Sequence, residues 1–461
     1  MVSIWTPRLE GRGGPRYLAI AEALAEDIDG GRLPAGARLP THRALADVLG
    51  VTVGTVSRAY AEGARRGFLS GEVGRGTFVR SRTSNDELFR PRPEGLVDLS
   101  LNHPPVSLGG TVRFALQETL MDVARRDDPS LLAYPPEAGR PSHREAGAMW
   151  IRRAGLDVAP ERIVISTGSQ HAVTAVFATL LKPGDLVLSE CLTYPGMKAA
   201  AALLHLRVQG LPIDEHGLLP DAFDAACRQS GAKALYSIPT IHNPTTALTP
   251  ESRRREIAAI AATHGVPIVE DDIHALLPAE RPLPIVAFAP ELGYYVASTS
   301  KTLAPGLRVG YVLSPPGTAP RLAAAIRATA WASAPLMAEI AATWIRGGTG
   351  DAILEERRRE AAARQAVARS ILSSAEYQSH PNAYHLWLRL PEPWRSESFT
   401  SEARRRGVSV TPSEVFVVGR TAAPHAVRVC LGAPSSHAEL EKGLRLIAET
   451  LASSPAEGFA L

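Results

Sequence analysis

Of the chain's five lysines, Lys182, Lys198, Lys233 and Lys442 lie in ordinary surroundings such as Leu181-Lys182-Pro183-Gly184-Asp185. Lys301 differs: it sits in Ser298-Thr299-Ser300-Lys301-Thr302-Leu303-Ala304-Pro305-Gly306-Leu307-Arg308, directly after the apolar run Tyr294–Ser298. A lysine at a strand end, among hydroxyls and an arginine suited to a phosphate, has the setting of a Schiff base to pyridoxal 5′-phosphate (PLP). Standing alone, the segment would read as a surface lysine in a Ser-rich loop. It has company. Thirty residues upstream, Val269-Glu270-Asp271-Asp272 puts carboxylates at another strand end, where one can pair with a protonated pyridine nitrogen and keep the ring an electron sink. The same acids would suit a metal or a solvated turn, but no His or Cys stands at ligand spacing, so no metal is expected. His242-Asn243-Pro244-Thr245 offers an amide donor for the ring oxygen, and Ser166-Thr167-Gly168-Ser169-Gln170 joins a strand to a helix whose first N–H groups suit a phosphate. Tyr194, in Thr193-Tyr194-Pro195-Gly196, can stack on a pyridine ring.

These segments need a scaffold that brings strand ends together. Short apolar runs at 162–166, 186–189, 234–237, 267–270 and 294–298 alternate with helical stretches, which predicts a largely parallel α/β sheet with ligands at the carboxyl ends of its strands. From about Ala319 the pattern turns helical, through the Arg/Glu-rich stretch 351–370, and a smaller α+β part closes the chain. With 461 residues, 45% hydrophobic and 21% charged, the chain can bury a sizeable core and divides into two or three domains. No apolar run approaches the roughly 20 residues that span a bilayer, and the first residues lack the apolar core of a secretory signal, so no membrane partner and a cytoplasmic location are expected. Cys191, Cys227 and Cys430 are scattered and odd in number, which suggests neither a disulfide framework nor a zinc site.

The first 80 residues are built differently. They hold 11 Arg, no Lys and 8 Asp or Glu, so the whole of the chain's +3 surplus lies there. A surplus of three charges permits a nucleic-acid partner without requiring one. Tyr17, Leu18, Ala21, Leu24, Ala25 and Ile28 recur at helical spacing, and Gly30-Gly31 ends that helix. Thr41 can cap a second helix carrying Leu45, Ala46 and Leu49 inward; Gly50-Val51-Thr52 turns the chain into a third, from about Val53 to Arg66. Gly67–Ser70 and Gly76–Val79 read as two short strands. Three helices and a hairpin, with a tight turn before the third helix, describe a winged helix-turn-helix. Residues 81–97 are polar, Pro-bearing and aperiodic and read as a linker.

The N-terminal layout resembles the GntR-type DNA-binding domain over residues 15–80, through Leu39-Pro40-Thr41-His42-Arg43-Ala44-Leu45-Ala46, Leu49-Gly50-Val51-Thr52, Thr55-Val56-Ser57-Arg58-Ala59-Tyr60 and Gly74-Arg75-Gly76-Thr77-Phe78-Val79. The resemblance implies double-stranded DNA as partner, with Thr52, Thr55, Ser57 and Arg58 on a helix that enters a major groove and Arg43 and Arg75 on phosphates. Val53-Gly54 stands where relatives often carry Arg and another polar residue, leaving fewer base-reading side chains.

Residues 98–461, divided into a large part of about 98–318 and a smaller part of about 319–461, resemble the class I/II aminotransferases of PLP fold type I. By that resemblance Lys301 forms the internal aldimine, Asp271 meets the ring nitrogen and Asn243 bonds the ring oxygen. Ser298, Arg308 and the backbone of Gly168, Ser169 and Gln170 hold the phosphate, and Tyr194 stacks on the ring. Arg428, in Val427-Arg428-Val429, matches the residue that clamps a substrate carboxylate. Tyr134, before Gly139-Arg140-Pro141, resembles the tyrosine that reaches the neighbouring subunit's phosphate, which implies a homodimer with shared sites. Two positions depart from the pattern: His274 stands where Tyr usually bonds the ring oxygen, and Thr246 replaces the Gly after Asn-Pro-Thr.

The whole arrangement resembles the MocR family of bacterial transcriptional regulators. That implies a regulator whose aminotransferase-like domain senses a small amino acid or amine by forming an external aldimine, displacing Lys301. An active aminotransferase carrying a DNA-binding domain is the alternative, and a regulator whose PLP domain is only a dimerising scaffold is a third reading.

Overall fold

The computed structural model describes residues 5–9, 14–29, 32–33, 37–65, 68–72, 76–79, 95–105, 110–419 and 421–453. The expected linker lies outside these up to residue 94, and so does Arg75.

The N-terminal part is three helices, α1 (Arg16–Asp29), α2 (His42–Leu49) and α3 (Val53–Arg65), followed by an antiparallel hairpin of β1 (Leu69–Glu72) and β2 (Gly76–Val79). Thr41 starts α2 as read from the sequence: its hydroxyl accepts the Ala44 N–H at 3.2 Å. Gly50 ends α2 at φ +60°, a left-handed conformation that costs a residue without Cβ little, and its N–H satisfies the last carbonyls of the helix. Leu24, Leu45, Val56, Tyr60, Phe68 and Val79 form the core of this unit.

The second part is built on a seven-stranded sheet. Its spatial order is Ile163–Ser166, Gly310–Leu313, Gly293–Ser298, Ile268–Asp271, Ala234–Ser237, Leu186–Glu190, Arg207–Leu211. Only Gly310–Leu313 runs antiparallel to its neighbours. Side chains alternate between two cores: Val164, Val269, Val296 and Val312 pack under the helix Ser169–Leu180, while Ile165, Tyr295, Ala297 and Tyr311 meet Trp150 and Trp344 on the other face. Burial on both faces is why these strands read as unbroken apolar runs. Ser166, Glu190, Ser237, Asp271 and Ser298 are each the last residue of their strand; parallel pairing brings the last four to one end of the sheet, and Ser166 joins them across the antiparallel strand, where Gly310 lies opposite both Ser166 and Ser298.

A four-stranded antiparallel sheet, ordered Tyr377–Ser379, His385–Arg389, Ala426–Cys430, Thr411–Pro412, carries Arg428. The packing draws on both sides of the expected division at residue 319. Helices Ala319–Ala330 and Pro335–Arg346 pack against the large sheet, whereas Val97 and Leu99 join the small core, Val97–Asp98 pairing in parallel with Val408–Ser409. No helix among the described residues is long and apolar enough to cross a membrane.

Candidate functional site

Lys301 follows the strand Gly293–Ser298 through a turn, and its Nζ donates to the Asn102 carbonyl. Burial, with the Arg428 cation beside it, lowers its ammonium to about 8. A fraction of this amine is therefore neutral near pH 7, as a nucleophile requires.

Asp271 is buried at the next strand end, one oxygen (Oδ2) accepting the Tyr236 hydroxyl at 2.6 Å. Burial pushes its carboxyl up to about 7, with the charges of Asp272 and Glu190 adding to the rise and the Tyr236 bond and Lys301 opposing it. Strand alternation sorts the three consecutive acids. Glu270 accepts the Ile285 and Val286 N–H groups (3.0 and 2.9 Å) and lies 3.8 Å from Arg254; Asp272 accepts the Tyr295 hydroxyl at 3.2 Å. Asp271, between them, turns to Tyr236 instead.

The expected phosphate residues meet. Gly168, at φ +85°, caps the helix Ser169–Leu180, and Arg308, itself left-handed at φ 52°, reaches the Thr167 carbonyl (3.4 Å). A Cβ on Gly168 would lie 2.5 Å from the Arg308 guanidinium, so only glycine lets the two approach. Ser298 Oγ accepts the Ser300 N–H at 3.2 Å. Gln170 donates to the Gly196 carbonyl (2.8 Å), and a Cβ on Gly196 would collide with both Gln170 and the Tyr194 ring, which places Tyr194 at this turn. The Thr167 N–H is already bonded to His171 Nδ1 (3.1 Å), which leaves the later amides for an anion.

Arg428 joins the two sheets. It donates to Asn243 Oδ1 (2.8 Å) and the Ser100 carbonyl (2.7 Å), with Phe416 4.9 Å beneath its guanidinium. His274 is buried beside this pair and its ring lies 6.2 Å from that of His385. Burial holds the His274 imidazole well below its usual range, the positive charge of Lys301 next in weight, so the ring is neutral at pH 7. Thr246 adopts φ 64°, the left-handed conformation glycine fills without strain, at a cost of about 1–2 kcal/mol for a branched residue. Tyr134 does not enter this chain's site: it is 84% exposed, its ring 5.4 Å from that of Trp331.

The buried polar atoms of this region with no hydrogen-bond partner include Asp271 Oδ1, both ring nitrogens of His274, Gln170 Oε1 and Arg428 Nε, and also Asn102 Oδ1, Asp272 Oδ1 and Thr246 Oγ1. A buried group left unpaired costs about 1–3 kcal/mol, so the set marks where a polar ligand belongs. An anion cradle at Gly168 and Arg308, an acid with a free oxygen and a partly neutral lysine fit PLP. The sequence reading missed Tyr236, although a tyrosine in a fully buried strand announces a hydroxyl in need of a partner.

On the winged helix, Arg43, Thr52 and Arg58 are exposed. Thr55 is half-buried, and its N–H bonds the Thr52 hydroxyl (3.2 Å) at the start of α3. Ser57 turns inward, to His42 Nδ1 at 2.9 Å, while His42 packs edge-on against Tyr60. Arg38, also missed, is exposed beside the wing: its backbone bridges to Phe78.

Fold and site define a fold type I aminotransferase-like domain, a fold that implies PLP, preceded by a GntR-type helix-turn-helix, which implies DNA binding. The family model for aminotransferase class I and II matches residues 94–447, and that for bacterial regulatory proteins of the gntR family matches residues 16–79. The chain is 32% identical to the HTH-type transcriptional regulator YdeF of Bacillus subtilis, over 97% of this chain and 96% of that protein. It is 27% identical to the HTH-type transcriptional regulator TauR of Rhodobacter capsulatus, over 86% and 88%. In fold it is similar to the α-aminoadipate aminotransferase LysN of Thermus thermophilus, with a TM-score of 0.73, 24% identity, and coverage of 80% of this chain and 95% of that one. The chain belongs to the MocR-type transcriptional regulators, in which a GntR helix-turn-helix and a class I/II aminotransferase domain are fused.

Proposed function

We propose that this regulator binds double-stranded DNA in the cytoplasm through its winged helix and senses a small amino acid or related amine at Lys301. The reading rests on the unpaired polar atoms of Asp271, His274, Gln170 and Arg428. When bound, PLP supplies a carbonyl carbon that primary amines attack and a ring that withdraws electrons. Lys301, lowered to about 8, is the resident amine that an effector amine displaces. Asp271 carries the acceptor for the ring N–H, and Asn243 and the neutral His274 serve the ring oxygen. Ser298, Arg308 and the Gly168–Gln170 turn hold the phosphate, and Tyr194 stacks on the ring. Arg428 takes the effector's carboxylate, a bidentate task suited to guanidinium. On DNA, Thr52, Thr55 and Arg58 face bases and Arg43 and Arg75 phosphates; Ser57, bonded to His42, supports α3 from behind. Leu132, Tyr134 and Trp331 are exposed, and we assign this patch to a second copy of the chain, whose site Tyr134 completes. An effector shifts the DNA-binding arrangement only by its differential affinity for the two states.

The test is the visible absorbance of the purified protein with PLP while amino compounds are titrated in, paired with protection of a DNA site near its own gene. A stable spectral change that alters protection, and that Lys301→Ala abolishes, supports the sensor. Sustained amino transfer to a keto acid would establish the aminotransferase instead.

A further inference from the structure

We propose that Tyr236 is a positioning residue for Asp271: its hydroxyl holds one carboxylate oxygen, leaving the other as the acceptor for the cofactor's ring N–H. The inference rests on the PLP reading above and adds a residue to it. A carboxylate can present either oxygen, and its plane turns freely unless something fixes it. Here the phenol donates to Oδ2 at 2.6 Å, and Oδ1 is buried with no partner. Tyr236 cannot move aside. It lies in the interior strand Ala234–Ser237, fully buried, its ring 6.2 Å edge-on from that of Phe177. Asp271 is the last residue of the adjoining parallel strand, so the sheet fixes donor and acceptor alike.

The hydroxyl also tunes the acid. Asp271 stands in buried surroundings near Asp272 and Glu190, which favour its proton; the Tyr236 bond is the largest influence against it. Losing that bond makes Asp271 hold its proton to higher pH. Asp271 then has to release that proton before it can pair with a protonated ring, and affinity falls on the acid side.

The probe is pyridoxamine 5′-phosphate, which carries the ring and phosphate without the aldehyde, so Lys301 forms no bond to it. Its Kd is measured by tryptophan fluorescence between pH 6 and 9. Tyr236→Phe is expected to raise Kd about ten-fold near pH 7, the scale of a hydrogen bond to a charged group, and to move the acid limb upward. 3-Fluorotyrosine at 236, nearly isosteric and a stronger donor, is expected to move that limb downward, so the inference stays testable if the Phe variant folds poorly. In an Asp271→Asn background, Tyr236→Phe should change Kd little further. An unmoved acid limb in both 236 variants, or full additivity with Asp271→Asn, overturns the inference while the PLP reading stands. Failure of the unaltered protein to bind the probe overturns both.

Discussion

In the winged helix the side chains assigned to a ligand, Arg43, Thr52 and Arg58, are exposed, whereas in the aminotransferase-like domain Asp271, Asn243, Ser298 and Arg428 are buried and already hydrogen-bonded within the protein. The difference follows from the two ligands. A duplex is a long polyanion met by an open surface, through many contacts that salt weakens. A small amine and a pyridine ring offer few atoms, so each contact must be fixed in advance and kept from water. One substitution should therefore cost the buried site much and the exposed face little.

The sharpest break between the two regions is Lys301→Ala. It removes the amine that bonds the cofactor, and complete loss of the lysine-linked visible absorbance is expected, together with loss of the effector response. DNA affinity without effector, measured by fluorescence anisotropy, should be unchanged; a fall there would mean that the two regions are not separable. Next in size is Arg254→Met. Arg254 is fully buried, donates to the Thr249 and Pro239 carbonyls and the Thr240 hydroxyl, and lies 3.8 Å from Glu270. Removing this buried donor strips hydrogen bonds from three buried acceptors, at about 1–3 kcal/mol for an acceptor left unpaired, which should appear in urea unfolding followed by bound-cofactor absorbance.

Arg428→Lys is expected to weaken a carboxylate-bearing effector about ten- to a hundred-fold, through loss of the planar fork that also holds Asn243. An amine of the same length without the carboxylate should bind the variant and the unaltered protein alike. The pH dependence has a definite sign. Lys301 is lowered to about 8, so the rate of PLP attachment should rise from pH 7 and level off above about 8. An ordinary lysine would keep gaining neutral amine up to its usual value of 10.5. Stopped-flow absorbance between pH 6.5 and 10 tells the two apart.

The buried site was the more legible of the two in sequence, because strand ends are set by apolar runs and parallel pairing must bring them to one edge. The strand ends near Asp271 and Ser298 and the Gly168 turn could thus be located from the residues, whereas the choice of Asp271 among three consecutive acids came from the aminotransferase resemblance. Three things were not legible. The antiparallel strand Gly310–Leu313 has the same apolar pattern as its parallel neighbours, since direction leaves no mark on a doubly buried strand. The meeting of Arg428 with Asn243 spans 185 residues, and no local pattern encodes it. Ser57 sits at a helical position open to DNA by periodicity, yet the rotamer that bonds His42 turns it inward. Helices α2 and α3, by contrast, were legible almost to the residue, because Thr41 and Gly50 announce the ends of α2 chemically.

That last point gives the smallest effect. The Thr41 hydroxyl caps α2 through the Ala44 N–H, and Ser, Thr or Asp caps are worth about 1 kcal/mol against alanine. Thr41→Ala should therefore loosen the winged helix by about that amount, read as faster amide exchange in α2 and slightly weaker DNA binding. Cofactor absorbance and the response to effector amines should stay as they are. Because a cap acts on the first turn of its own helix, a change in the cofactor spectrum of this variant would show the two regions coupled in the resting protein, and the contrast between an open face and a closed site would then have to be redrawn as one cooperative unit.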